Sequence, residues 1–146
     1  MKPISATIML LVAIAATANV NAQQPVDYKT AYEQAQKGEK PLLVLITAQW
    51  CPPCQIMKKT TIPELMQKKA FKGFHYATVD LDKETTLARQ LIGTRGVPQL
   101  IMYEKNDGKW VRRYLRGAQT AQTVEAFVAQ AIQTRTASAT TQNVGK

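Results

Sequence analysis

The feature that most constrains this chain is a pair of cysteines placed directly after a run of apolar residues. Residues 42–46 are all Leu, Val or Ile, and the sequence Trp-Cys-Pro-Pro-Cys follows at 50–54. A continuous apolar run of strand length is typical of a strand at the centre of a sheet, covered by helices on both faces. We therefore expect Cys51 and Cys54 to lie where a buried strand turns into a helix.

This placement gives the two cysteines different chemistry. Two intervening residues let the sulfurs approach bonding distance across the first helical turn. Cys51 would lie at the helix N-terminus, where free N–H groups and the helix dipole favour a thiolate. A thiolate attacks disulfides, and a second thiol, here Cys54, releases the mixed disulfide that forms. The pattern therefore predicts a redox-active pair.

Three other interpretations of the pair are weaker. A zinc site needs two more ligands, and His75 is the only histidine in the chain. Covalent haem attachment needs a histidine directly after the second cysteine, where the chain has Gln55. A purely structural disulfide would close so small a loop that it would remove little entropy from the unfolded chain.

The rest of the pattern alternates helices with strands. Asp27 is a candidate N-cap for a helix that Gly38 would end, and Pro63 should break or kink the helix after the cysteines. Asn-Asp-Gly at 106–108 predicts a hairpin. The other predicted elements are helices at 55–60, 64–70 and 83–92, strands at 74–80, 98–103 and 109–115, and a last helix capped by Thr120 with an apolar stripe of Val124, Phe127, Val128, Ala131 and Ile132. Helical crossovers imply parallel strands and the hairpin an antiparallel edge, so the fold class is a mixed, four-stranded α/β sandwich.

The motifs resemble the thioredoxin family. The stretch 42–54 resembles that family's strand and active-site motif, and Gly-Thr-Arg-Gly-Val-Pro at 93–98 is similar to its loop with a cis-proline opposite the cysteines. Gly117 matches the glycine that borders the family's substrate groove. The resemblance covers about residues 27–132 and implies a thioredoxin-like fold, with a central mixed four-stranded sheet flanked by helices.

The resemblance also implies roles for individual residues. Cys51 would be the exposed nucleophile and Cys54 the buried resolving thiol, with Trp50 packed beside them. Val97 would offer backbone hydrogen bonds to an extended substrate, and a cis-Pro98 would shape that contact. From the sequence alone, Pro98 can equally be a trans proline that opens an edge strand. The substrate-binding positions implied are Trp50, Pro52, Pro53, Val97, Pro98 and Gly117.

Two departures from the cytoplasmic members of the family stand out. Leu45 occupies the position of their buried aspartate, and Thr78 that of its lysine partner, so we assign no general base. Pro52-Pro53 replaces the usual Gly-Pro. This dipeptide, together with Pro63, is more similar to secreted and membrane-attached relatives, including the C-terminal domain of the transmembrane disulfide reductase.

The N-terminal segment is typical of a secretory signal. Lys2 precedes a nearly continuous apolar run at 4–18, and Val-Asn-Ala follows at 20–22. That run is shorter than the about 20 residues that span a bilayer. We expect a cleaved signal peptide at 1–22, a thioredoxin-like domain at 23–133, a flexible polar tail at 134–146, and a periplasmic or secreted protein. An uncleaved anchor and a buried core helix are the alternatives.

The formal net charge of +9 suggests anionic partners in general. The basic residues are scattered without interleaved aromatics, which favours a solvated surface over nucleic-acid binding. We therefore expect no nucleic acid partner, and membrane contact only through an uncleaved signal or weak attraction of the basic surface. We expect no metal, and no cofactor other than the redox-active disulfide Cys51–Cys54.

The predicted function is thiol–disulfide exchange with extracytoplasmic proteins through Cys51 and Cys54. The partners would be protein thiols and disulfides, together with a membrane or soluble redox partner that recharges the cysteines. The sequence leaves the direction of electron flow open. The alternative is a non-catalytic binding or chaperone-like module that uses the groove around Cys51, Val97 and Pro98.

Overall fold

The computed structural model describes residues 26–38, 40–106 and 108–143, with the backbone alone from residue 134 on. The predicted signal peptide lies outside these residues and stays a prediction. In chain order the elements are α1 (Tyr28–Gly38), β1 (Leu42–Thr47), α2 (Pro52–Ile56), a π-helical turn (Met57–Thr61), α3 (Ile62–Gln67), β2 (His75–Asp80), α4 (Thr85–Ile92), β3 (Gln99–Asn106), β4 (Lys109–Arg116) and α5 (Ala121–Asn143).

The strands form one mixed four-stranded sheet, as predicted, and their order in the sheet is β2-β1-β3-β4. β1 is parallel to β2, and β3 is antiparallel to both β1 and β4. The expectation that a crossover makes β3 parallel is wrong. Asp80 at the end of β2 lies beside Thr47, and Gln99 at the start of β3 pairs with Ile46, so the connection leaves and re-enters the sheet at the same end.

The core lies on both faces of the sheet, and β1 is its centre. All six residues of β1 are buried, as the apolar run predicted. Because side chains alternate along a strand, Leu43 and Leu45 pack on one face under α3 and α5, while Leu42, Val44 and Ile46 pack on the other under α1 and α4. Burial of each such aliphatic side chain contributes about 1.5–3 kcal/mol.

The helix after the cysteines starts earlier and runs further than predicted. It begins at Pro52 and passes through the π-helical turn, where the Ile62 N–H donates to the Met57 carbonyl. A proline inside an α-helix lacks an N–H and clashes with the preceding turn. The wider turn lies directly before Pro63, so the expected break is a local change of helical geometry.

The predicted N-caps are confirmed. The Thr30 N–H donates to Asp27 Oδ1 at 3.0 Å, and the Thr123 N–H donates to Thr120 Oγ1 at 3.2 Å. Gly38 is the last residue of α1 rather than the first residue beyond it, which corrects the expected helix end.

The backbone of α5 remains helical through Asn143, past the expected domain end at residue 133. The flexibility of the 134–146 tail stays a prediction. No helix within the described residues is both long and apolar enough to cross a membrane.

Candidate active site

Cys51 and Cys54 lie at the junction of β1 and α2, as the sequence predicted. Cys51 is the N-cap of α2 in an extended conformation, and Cys54 lies in the first helical turn. The two residues are joined by a disulfide, with their Cα atoms 5.2 Å apart. The pair therefore sits at the start of a helix and at the end of the most deeply buried strand.

The helix start offers one main-chain donor to the Cys51 sulfur. Pro52 and Pro53 occupy the first two helical positions and have no N–H, so the Cys54 N–H is the first donor of α2. It donates to Cys51 Sγ at 3.2 Å and to the Cys51 carbonyl at 3.0 Å. A negative charge on Cys51 Sγ would be stabilised by this N–H and by the positive end of the helix.

The two cysteines differ in access to solvent. Cys54 is fully buried, which confirms its predicted position, and Cys51 keeps 3% of its surface exposed. The expectation of an exposed Cys51 is therefore wrong for the disulfide form, because Ala48, Leu81 and Val97 pack around the sulfurs. Cys51 is still the residue of the pair that an incoming thiolate can reach.

The loop opposite the disulfide holds the proline that the resemblance implied. The Val97–Pro98 peptide bond is cis, so the alternative of a trans proline is wrong. The Val97 carbonyl oxygen lies 3.7 Å from Cys51 Sγ, a packing contact because a disulfide sulfur carries no hydrogen. The Pro98 carbonyl accepts the Gly117 N–H at 2.9 Å. Gly117 has φ of +78°, a conformation that favours glycine. Val97, Pro98 and Gly117 thus meet beside Cys51.

Trp50 lies at the surface beside the pair rather than packed into the core. Its side chain is 67% exposed, and its Nε1–H donates to Asp82 Oδ1 at 2.9 Å. The other oxygen of Asp82 accepts the Gln49 N–H at 2.7 Å. Asp82 therefore holds the segment that leads into Cys51. Sequence reasoning missed this residue, and its signal is an acidic side chain just after β2, the parallel neighbour of β1.

The interior next to the site carries no acid–base pair at the family positions. Leu45 is fully buried and lies opposite Thr78 in the register of β1 and β2, so the two departures are neighbours, as expected. Thr78 Oγ1 donates to the Tyr76 hydroxyl oxygen at 3.0 Å. Burial raises the pKa of Tyr76 to about 12, so this phenol is neutral at neutral pH.

The buried carboxylate among the described residues is remote from the disulfide. Glu104 is 3% exposed and is held by the guanidinium of Arg113. It lies five positions along β3 from Gln99, a separation of about 17 Å at the rise of a strand. Glu104 therefore cannot exchange protons directly with Cys54.

Two buried polar side chains at the site end of the sheet have no hydrogen-bond partner among the described residues. They are Thr47, at the end of β1, and Gln99, directly after Pro98. Both side chains are fully buried. An unpaired buried polar group costs about 1–3 kcal/mol, so this end of the sheet is not optimised for stability.

The remaining candidate ligand does not join the site. His75 starts β2 opposite Leu42, at the end of the sheet away from the cysteines. Burial, followed by the charge of Lys40, lowers the pKa of His75. No group of three or more His, Cys, Asp or Glu side chains that could hold a metal occurs in the described part of the chain.

Together these features define a class of protein. A disulfide caps a helix, one of its two cysteines keeps a small exposed surface while the other is fully buried, and a cis-proline loop faces the pair. A reduced Cys51 in this position can attack a partner disulfide, and Cys54 can displace the partner. This is the geometry of a thiol–disulfide oxidoreductase.

Comparison with known proteins places the chain within that class. Residues 21–105 match the family described as thioredoxin-like. The chain is 32% identical to a thioredoxin of Alicyclobacillus acidocaldarius over 103 residues, which cover 70% of this chain and 91% of that protein. It is 32% identical to a thioredoxin of Borreliella burgdorferi over 83 residues, covering 57% of this chain and 68% of that protein.

The fold comparison agrees. The solution structure of a thioredoxin from Thermus thermophilus superimposes with a TM-score of 0.62 at 22% identity, covering 75% of this chain and 86% of that chain. The chain belongs to the thioredoxin-like family, and it is a thiol–disulfide oxidoreductase.

Proposed function

We propose that this protein exchanges disulfides with proteins outside the cytoplasm, as a periplasmic or secreted enzyme. The location is supported by the sequence of residues 1–22, with its basic start, apolar run and Val-Asn-Ala ending. Disulfides persist in such oxidising compartments. The observation that carries the catalytic assignment is the Cys54 N–H directed at the sulfur of Cys51.

The exchange proceeds in two steps that balance. In the reducing direction, the Cys51 thiolate attacks a substrate disulfide, a Cys51–substrate disulfide forms, and the second substrate sulfur leaves as a thiolate. Cys54 then loses its proton and attacks Cys51 Sγ, which releases the first substrate sulfur. Two electrons pass to the substrate and the Cys51–Cys54 disulfide is left. The reverse sequence oxidises a substrate dithiol, and a membrane or soluble redox partner restores the starting state.

The groove around Cys51 fits an extended polypeptide. Val97 packs against Cys51 and is followed by the cis-Pro98, and the exposed indole of Trp50 directly precedes Cys51 in the chain. Pro52 and Pro53 are exposed on the helix start that follows Cys51. A substrate strand seated there would bring its reacting sulfur to Cys51, as a disulfide when the pair is reduced and as a thiolate when the pair is oxidised.

Turnover separates this proposal from a binding module that uses the same groove. With dithiothreitol as the electron source, the native protein should reduce insulin and the Cys51→Ser variant should not. Cys54→Ser, reduced and then freed of dithiothreitol, should form stable mixed disulfides with insulin chains. A native protein that binds insulin but never reduces it would support the binding module.

The location has its own test. The intact mass of the protein recovered from the extracytoplasmic fraction should correspond to a chain that begins at Gln23. A mass that retains residues 1–22 would support the uncleaved anchor. Recovery from the cytoplasm alone would contradict the proposed location.

A further inference from the structure

The edge strand β4 carries an aromatic and cationic face. β4 is the last strand of the sheet order and pairs with β3 on one side. Arg112 and Tyr114 lie opposite Tyr103 and Ile101, which pack in the core on the α1 and α4 side. Because side chains alternate along a strand, Arg116 lies on this same face.

This face meets the active-site groove at its Arg116 end. Arg116 pairs in register with Gln99, the residue directly after Pro98. Arg95 lies two residues before Val97, in the loop that faces Cys51. The Cζ atoms of Arg95 and Arg116 lie 5.8 Å and 5.9 Å from the centroid of the Tyr114 ring. One aromatic ring therefore gathers two guanidinium groups beside the groove.

The arginines on either side of β4 differ in their partners. Arg113, on the opposite face, is bound to Glu104 and also donates to the Gln130 side chain at 2.9 Å. Arg95 and Arg116 are exposed and form no ion pair with any described residue. Two like charges on one ring repel each other, and an anionic partner would relieve that repulsion.

We propose that Arg95, Tyr114 and Arg116 form a docking surface, the cationic rim, for acidic segments that flank the reacting cysteine of a protein substrate. The proposal rests on the proposed function, because it names the class of substrate that the same groove takes. A guanidinium binds a carboxylate through two parallel hydrogen bonds, and the ring of Tyr114 limits the freedom of both arginines. Charges at the edge of a binding site act chiefly on the rate of encounter.

Protection of the edge strand is a second possible role for these charges, and it predicts a different dependence on position. Charged side chains on an edge strand also prevent pairing with other chains. That role depends on charge along the whole strand, including Lys109 at the far end of β4. The cationic rim is confined to the end beside Pro98, so its effect should depend on position and on the charge of the substrate.

The experiment uses three peptides that share one disulfide loop and differ only in flanking residues, which are Glu, Gln or Lys. Reduced protein is mixed with each peptide, and the second-order rate of reduction is measured at low salt and at about 1 M salt, where the Debye length is about 3 Å. At low salt the Glu peptide should react faster than the Lys peptide, by about tenfold or more. The difference should vanish at high salt.

Charge-reversal variants locate the effect. Arg95→Glu/Arg116→Glu should invert the order of the Glu and Lys peptides, each rate being divided by that of the Gln peptide in the same variant. Arg95→Gln/Arg116→Gln should make the relative rates of the Glu and Lys peptides nearly equal. Lys37→Glu/Lys40→Glu changes the net charge equally at the other end of the sheet, since Lys37 lies in the last turn of α1 and Lys40 precedes β1. This control should keep the native order.

Each outcome decides one claim. If the native protein reduces none of the three peptides, the proposed function fails. If it reduces all three at equal rates at low salt, the function stands and the cationic rim is overturned. Equal loss of preference in the Lys37→Glu/Lys40→Glu control also overturns it, because net charge would then explain the preference. An Arg95→Glu/Arg116→Glu protein with a changed circular dichroism spectrum leaves the decision to the Gln variant.

Discussion

The surface around the disulfide carries charged side chains, whereas the interior next to it is apolar. On the surface, Asp82 holds Trp50 on one side, and Arg95 and Arg116 flank the groove on the other. In the interior, Leu45 packs in an apolar core. The cytoplasmic relatives that the sequence resembles carry a buried aspartate at this position.

The difference indicates that substrate binding depends on surface charge, while proton transfer from Cys54 does not use an interior carboxylate. Charge at the surface can attract and orient a substrate, while an apolar interior cannot accept a proton from Cys54. The proton of the resolving thiol must therefore leave through water or through the substrate thiolate.

The largest effect should come from the cysteines themselves. Cys51→Ser should abolish insulin reduction, because it removes the sulfur that the helix start activates. Cys54→Ser should also stop turnover, but by trapping Cys51–substrate disulfides, which non-reducing electrophoresis detects. If Cys51→Ser traps substrate and Cys54→Ser does not, the two roles are assigned the wrong way round.

Placing a carboxylate in the interior should cost stability and change kinetics. Leu45→Asp should lower the free energy of unfolding by about 2–5 kcal/mol, because a buried apolar side chain is replaced by a polar one. It should also speed resolution of mixed disulfides near neutral pH, since burial would raise the pKa of the new carboxyl and allow it to accept the Cys54 proton. A denaturant melt and stopped-flow Trp50 fluorescence measure the two effects.

Leu45→Asn is the matched control for that variant. It imposes a similar burial cost without a titratable group, so it should lose stability and gain no rate. If Leu45→Asp is fully stable and kinetically silent, Leu45 is not buried behind Cys54.

Removing charge from the surface should have a smaller effect. Asp82→Ala deletes both carboxylate oxygens that accept from Gln49 and Trp50, which should cost about 1–3 kcal/mol. It should also shift the Trp50 emission spectrum, recorded in a Trp110→Phe background because Trp110 is the other tryptophan of the chain. Asp82→Asn keeps one acceptor oxygen, so its stability and its emission spectrum should lie between those of the native protein and those of Asp82→Ala. Glu33→Gln, an exposed change on α1, should alter neither property. An unshifted Trp50 spectrum in Asp82→Ala would show that Asp82 does not hold the indole.

The smallest effect should come from the unpartnered hydroxyl in the interior. Thr47→Val removes a buried Oγ1 without a partner, so stability should stay level or rise by about 1 kcal/mol. Thr61→Val is the comparison, because Thr61 Oγ1 donates to the Gln119 carbonyl at 3.2 Å. That change should destabilise by about 1 kcal/mol. Equal losses in both denaturant melts would mean that Thr47 has a partner.

Local chemistry predicted much of this molecule. The apolar run of β1, the caps Asp27 and Thr120, and the placement of Cys51 at a helix N-terminus each depend on residues close in sequence, and each is confirmed. The direction of β3 could not be predicted from its own pattern, because it depends on where the connection from β2 closes. Asp82 was missed because the hydrogen bond to Trp50 joins residues 32 positions apart.

The site could be predicted in part for the same reason. The cysteine spacing indicated redox chemistry, while the burial of Cys51 depends on Val97 and Leu81, which arrive from other elements. Packing between distant segments leaves no signature in a single short motif. Contacts of this kind also bring Arg95 and Arg116 to one ring.

Cys51 and Cys54 have different roles because only Cys51 keeps exposed surface and has a sulfur that accepts an N–H of the helix start. Brief iodoacetamide labelling of the reduced native protein, with the modified residue identified by peptide mass spectrometry across a pH series, tests this difference directly. Cys51 should be alkylated first at every pH at which either thiol reacts. Equal labelling of Cys51 and Cys54 throughout the series would contradict it.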